Sequence, residues 1–176
     1  MKSIFTLVAF KLSWLCVVFG AVWSMEWLGL LAVSAFTAYE VLVRERRALA
    51  LPAIVVGLLG YAVDNVYVLT GLMQFSDPGV AYAPYWMALL WVNFALIVEH
   101  GLSWLNERRL LAAGLGAVGG PMAYLAGVKL GLIVLVAPFA LVIAVIALTW
   151  AIAMPLLLYF LGSDRRDREA HPLAGS

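Results

Sequence analysis

Apolar residues run along this chain in six long stretches separated by short turns that carry its charges, glycines and prolines. A bilayer-crossing helix needs about 20 mostly apolar residues. The pattern therefore predicts spans at Ile4 to Trp23, Trp27 to Val43, Leu49 to Leu72, Tyr85 to Leu105, Leu110 to Gly127 and Pro138 to Leu161. The expected fold is all-α, a polytopic transmembrane bundle of about six spanning helices over residues 1–161, followed by a disordered cytoplasmic tail over 162–176. Residues 128–137 are apolar but broken by Lys129 and Gly131. They extend the fifth helix, begin the sixth, or lie along the membrane surface. The start, Met1-Lys2-Ser3 before an apolar run, is signal-peptide-like but has no small-x-small cleavage site, and is read as a retained first helix. No internal repeat stands out.

Charge gives these spans a direction. Lys2 precedes the first, Arg44, Arg46 and Arg47 follow the second, Arg108 and Arg109 the fourth, and Arg165, Arg166 and Arg168 the sixth. Because positive residues collect in short cytoplasmic loops, both termini are expected on the cytoplasmic side of a bacterial inner membrane. Trp23, Trp27, Tyr82, Tyr85 and Trp86 fall where an aromatic belt would mark the opposite interface.

Composition agrees with this class: 65% of residues are hydrophobic and 12% charged, far from the balance of a soluble domain. A net charge of +1 provides no field for nucleic acid, so the expected partners are the lipid bilayer and either lipids or another membrane protein. Cys16 is the single cysteine, which excludes an intramolecular disulfide and a multi-cysteine metal site. Neither a HExxH helix, a GxSxG elbow nor a phosphate loop occurs. No metal or cofactor is expected, and catalysis is left open.

The candidate chemistry lies in polar residues at membrane depth, where a charge costs about 2.5–3.5 kcal/mol and has to face protein or water. Lys11, Asp64, Asn65, Asn93, Glu99 and His100 form this set. Asp64 lies about fifteen residues into the third span and shares a stripe with Gly57, Tyr61 and Val68. It reads as a proton-carrying, ion-binding or substrate-binding carboxyl, or as an acid that holds helices together. Asn93, His100 and Ser103 share one arc of the fourth span, with Glu99 at its edge. Glu99 and His100 lie roughly 10 Å inside the membrane. Lys11 enters from the same side, so an ion pair with Glu99 beside His100 fits the geometry; a pair that only specifies helix register is the plainer reading. Glu40 sits one turn before Arg44 and is expected to pair with it.

The fifth span is rich in small residues. Gly116 and Gly120 make a GxxxG step for close helix contact, and Pro121 after Gly119 and Gly120 predicts a kink or unwound turn.

A family resemblance is carried by Trp14 with Gly20-Ala21, Trp27-Leu28-Gly29, Gly60 with Asp64, and Pro84 with Trp86 and Trp91. It continues through Ala112-Ala113-Gly114, Gly119-Gly120-Pro121, Ala123-Tyr124 and Gly127. Together these residues resemble an uncharacterised, multi-pass bacterial inner-membrane family, a domain of unknown function. The resemblance implies gene neighbours concerned with fatty-acid or lipid modification, and it implies no activity. Three readings follow: a protein accessory to lipid or hydrophobic-molecule metabolism with Asp64, Asn65, Asn93 and His100 lining a polar cavity; a small proton-coupled transporter; or a non-catalytic scaffold or assembly factor that binds through Gly116 and Gly120.

Overall fold

The computed structural model describes residues 2–76 and 81–170, except the side chains of 2–4, 99, 100, 103 and 162–170. Six helices follow one another: α1 (Lys2–Val22), α2 (Trp27–Ala38), α3 (Arg47–Leu69), α4 (Tyr85–Gly101), α5 (Arg109–Lys129) and α6 (Phe139–Ala170). α1, α3, α5 and the Phe139–Leu161 part of α6 are each long and apolar enough to cross a membrane. The two apolar helices at Trp27–Val43 and Tyr85–Val98 are shorter. The chain is thus a helical membrane bundle, with its large exposed side chains mostly leucine, valine, phenylalanine and tryptophan.

Boundaries moved where local chemistry intervened. α2 ends in a π-helical turn, Tyr39–Val43. The fourth span breaks after Gly101 into a 3-10 turn, Ser103–Leu105. α6 runs on to Ala170, so 162–170, expected as part of a disordered tail, are helical. Arginine, glutamate and alanine there favour helix intrinsically. Residues 171–176, with His171, lie outside the described residues. Pro121 sits inside an uninterrupted α-helix, as do Pro52 and Pro155, so the expected unwound turn does not occur.

The segment 128–137 behaves in a way the apolar pattern did not predict. Lys129 closes α5, Gly131 turns the chain, and β2 (Ile133–Leu135) pairs antiparallel with β1 (Met73–Phe75). Gly71 and Gly131, at φ +71° and +75°, occupy the left-handed conformation that ends a helix and that side chains resist. At both ends the same bonds close the cap: Gly71 N to Val68 O and Leu72 N to Tyr67 O, Gly131 N to Val128 O and Leu132 N to Gly127 O.

Those matched caps belong to an internal repeat. The strand register pairs Met73 with Leu135, Gln74 with Val134 and Phe75 with Ile133. Ser76 N donates to Leu132 O, and Val136 N donates to Leu72 O. Exchanging each residue for its counterpart sixty positions away, forward from β1 and back from β2, maps this set of pairs onto itself, as a two-fold axis through the Gln74–Val134 pair requires. The repeat is α3-β1-α4 against α5-β2-α6, and within each unit the two helices pack on one another. α1 and α2 pack on each other and on α4. The starts of α3 and α5, with Arg46, Arg47, Arg108 and Arg109, lie at the end opposite the strands.

Candidate functional site

The axis is marked by two tryptophans. Trp91 of α4 stacks on Trp150 of α6 at 4.6 Å with a 14° interplanar angle, and Phe94 meets Trp150 edge-on at 5.3 Å. Each indole lies against a glycine of its own unit. A Cβ on Gly60 would enter the Trp91 ring, and one on Gly120 the Trp150 ring. Gly116 likewise faces the Trp150 carbonyl and Met154. The GxxxG step therefore does pack helices closely, but its partner is α6 of the same chain. Gly119, on another face of α5, has nothing within 4 Å of its Cβ position.

One turn beyond the two packed glycines come Asp64 and Tyr124, and these meet. Tyr124 donates its hydroxyl to Asp64 Oδ1. Trp91 Nε1 donates to Asp64 Oδ2 at 2.9 Å. Asp64 is wholly buried, and hydrogen bonds to both its oxygens offset much of what burial costs. Tyr67 completes the cluster, edge-on to Tyr124 at 5.9 Å. Its hydroxyl faces Thr149, and Trp150 Nε1 faces Tyr124; among the described residues neither atom makes a hydrogen bond.

In front of this cluster is a cleft of about 490 Å³, within the range of small-molecule sites. Phe10, Lys11 and Trp14 of α1 form one side, Leu115, Gly119 and Ala123 of α5 the other, and Trp91, Phe94, Tyr124 and Trp150 the floor. α1 and α5, which both line the cleft, are not among the helix pairs that pack closely. The lining is overwhelmingly apolar. Lys11 is its one charged member, with Nζ 5.9 Å and 5.7 Å from the Phe10 and Trp14 rings.

The family described as protein of unknown function (DUF2878) matches residues 3–156, nearly the whole chain. The chain belongs to that family. Neither a curated protein nor a solved structure matches it. The matched stretch takes in both strands, the Asp64 cluster and the residues that line the cleft, and it ends within α6.

The polar residues expected to share one cavity are distributed over separate places. Asp64 lies behind the cleft floor, and Lys11 lies on its rim. Asn93 is buried against α1, where it accepts from Ser13 Oγ at 2.6 Å and donates to Phe10 O at 3.3 Å. Asn65 accepts from Ala83 N at 3.0 Å and donates to Tyr61 O at 2.8 Å, while Tyr61 donates to Ala83 O at 2.8 Å. Those bonds tie the start of α4 to α3. The side chains of Glu99 and His100, and with them the expected pair with Lys11, lie outside the described residues.

Glu40 also differs from expectation. The π-helical turn directs it inward, fully buried, where Arg46 rather than Arg44 is its partner at 2.5 Å. Thr6 donates to its other oxygen at 3.2 Å, and Arg44 Nη1 donates to Thr6 at 3.4 Å. This network joins α1 to the turn between α2 and α3. Sequence spacing missed it because an i,i+4 pair assumes an α-helix, and a π turn rotates the later residues away from it.

Proposed function

We propose that this chain is a bacterial inner-membrane protein, with both termini cytoplasmic, that assists the metabolism of a lipid or another hydrophobic molecule by holding its apolar part in the cleft between α1 and α5. The observation that carries this reading is the cleft itself: about 490 Å³, apolar, floored by stacked indoles and lined by two helices, α1 and α5, long and apolar enough to cross a membrane. An aqueous solute would gain little from such walls, whereas an apolar chain leaves lipid for lipid-like surroundings at low cost. The positive residues at the end opposite the strands support the cytoplasmic placement of the termini.

The test compares total lipid extracts from cells carrying the intact gene, lacking it, or carrying Gly119→Phe, which fills the cleft from a position with open space beside it. A lipid change shared by the deletion and by Gly119→Phe is expected. Full restoration of the normal lipids by the filled variant defeats the reading.

A second reading, a small proton-coupled transporter, draws on the Asp64 carboxyl, which has no cationic partner among the described residues. It predicts proton flux in reconstituted vesicles that Asp64→Asn removes. The scaffold reading loses its motif, since α6 already covers Gly116 and Gly120.

A further inference from the structure

Lys11 is out of keeping with the rest of the cleft. It sits on α1 between Phe10 and Leu12, about 13 Å along the helix from its first residue, at a depth where a cation is costly. The two aromatic rings near 6 Å attract the ammonium but do not neutralise it. Among the described residues it makes no ion pair. Helical side chains lean toward the N-terminus, so the ammonium leans toward the end of the cleft nearer the arginines. From that end the cleft follows α5 from Leu115 to Leu130, roughly 22 Å at 1.5 Å per residue. That exceeds half of a hydrocarbon core about 30 Å thick.

A long apolar channel with a single cation beside one end matches one ligand chemistry: an extended acyl chain ending in an anionic oxygen. We infer that the cleft binds a long-chain carboxylate, its carboxylate on the Lys11 ammonium and its chain on the indoles of Trp91 and Trp150. This deepens the lipid-handling reading and rests on it. A charge-assisted hydrogen bond is stronger than a neutral one, so the head group, and not only the tail, determines what is retained.

The probe is dibromostearate, whose bromines quench tryptophan fluorescence, with its methyl ester as the uncharged control; Trp14, Trp91 and Trp150 all line the cleft. Both are titrated into the full chain in phosphatidylcholine nanodiscs at about pH 9, where a carboxyl is ionised. The acid is expected to quench saturably, to bind about tenfold more weakly to Lys11→Met, and to be retained by Lys11→Arg. The methyl ester should not distinguish Lys11→Met from the parent, and Gly119→Phe should abolish saturable quenching by both. If the acid binds Lys11→Met within about twofold of the parent while Gly119→Phe still abolishes binding, the carboxylate inference fails and the apolar cleft stands. If neither probe quenches the parent saturably, the cleft reading fails and the inference with it.

Discussion

The units α3-β1-α4 and α5-β2-α6 share a plan down to single hydrogen bonds, yet they differ where they touch. Both end their first helix at a left-handed glycine, both seat a tryptophan on a glycine, and each lends one strand to the same pairing. One turn past the seated glycine, one unit has a carboxyl at Asp64 and the other a phenol at Tyr124. Symmetry thus builds the frame, and asymmetry builds the bond at its centre. Features repeated in both units belong to the architecture, and features present in one are the ones to examine for function.

Breaking the asymmetric bond has the largest expected effect. Asp64→Ala leaves the Tyr124 hydroxyl and the Trp91 N–H buried without their acceptor, at about 1–3 kcal/mol each. Unfolding in mixed micelles should show it. A double-mutant cycle with Tyr124→Phe should return a coupling of about 0.5–3 kcal/mol, and strict additivity would deny the bond.

Next come the shared features. Gly60→Ala and Gly120→Ala each press a methyl into an indole and should cost about 1–3 kcal/mol, by similar amounts if the two units are equivalent. A large effect at only one of them would break the comparison. Gly71→Ala and Gly131→Ala force alanine into the left-handed region, for about 1–2 kcal/mol apiece. The smallest effect belongs to Gly119→Ala, where open space and better helix propensity should leave stability unchanged or raised by up to about 1 kcal/mol.

The bundle was legible because long apolar stretches and clustered arginines are strong, local signals. The strands were not: three residues each, as apolar as their surroundings, they are defined by a partner sixty positions away. The repeat escaped for a related reason. Its identities at the sixty-residue offset are scattered, among them Gly60 with Gly120, Val68 with Val128, Gly71-Leu72 with Gly131-Leu132 and Pro78 with Pro138, because lipid-facing positions accept almost any apolar residue. Asp64 was legible as a buried acid, since a charge at that depth is rare, but its partners were not; a tyrosine and a tryptophan are as much at home in a core as in a hydrogen bond. Asn93 pointed inward as expected, toward α1 instead of a cavity, since a helical arc gives direction and not destination.

The bond between Asp64 and Tyr124 also bears on ancestry. In a dimer of separate, identical chains, a residue beside the two-fold axis faces its own copy. An ancestor shaped like one unit would have placed carboxyl against carboxyl or phenol against phenol at this point. Two units that differ in sequence can set a donor opposite an acceptor there, as Tyr124 and Asp64 do. A hydrogen bond between a donor and an acceptor at this point is thus something a single continuous chain can have and a symmetric pair of identical units cannot.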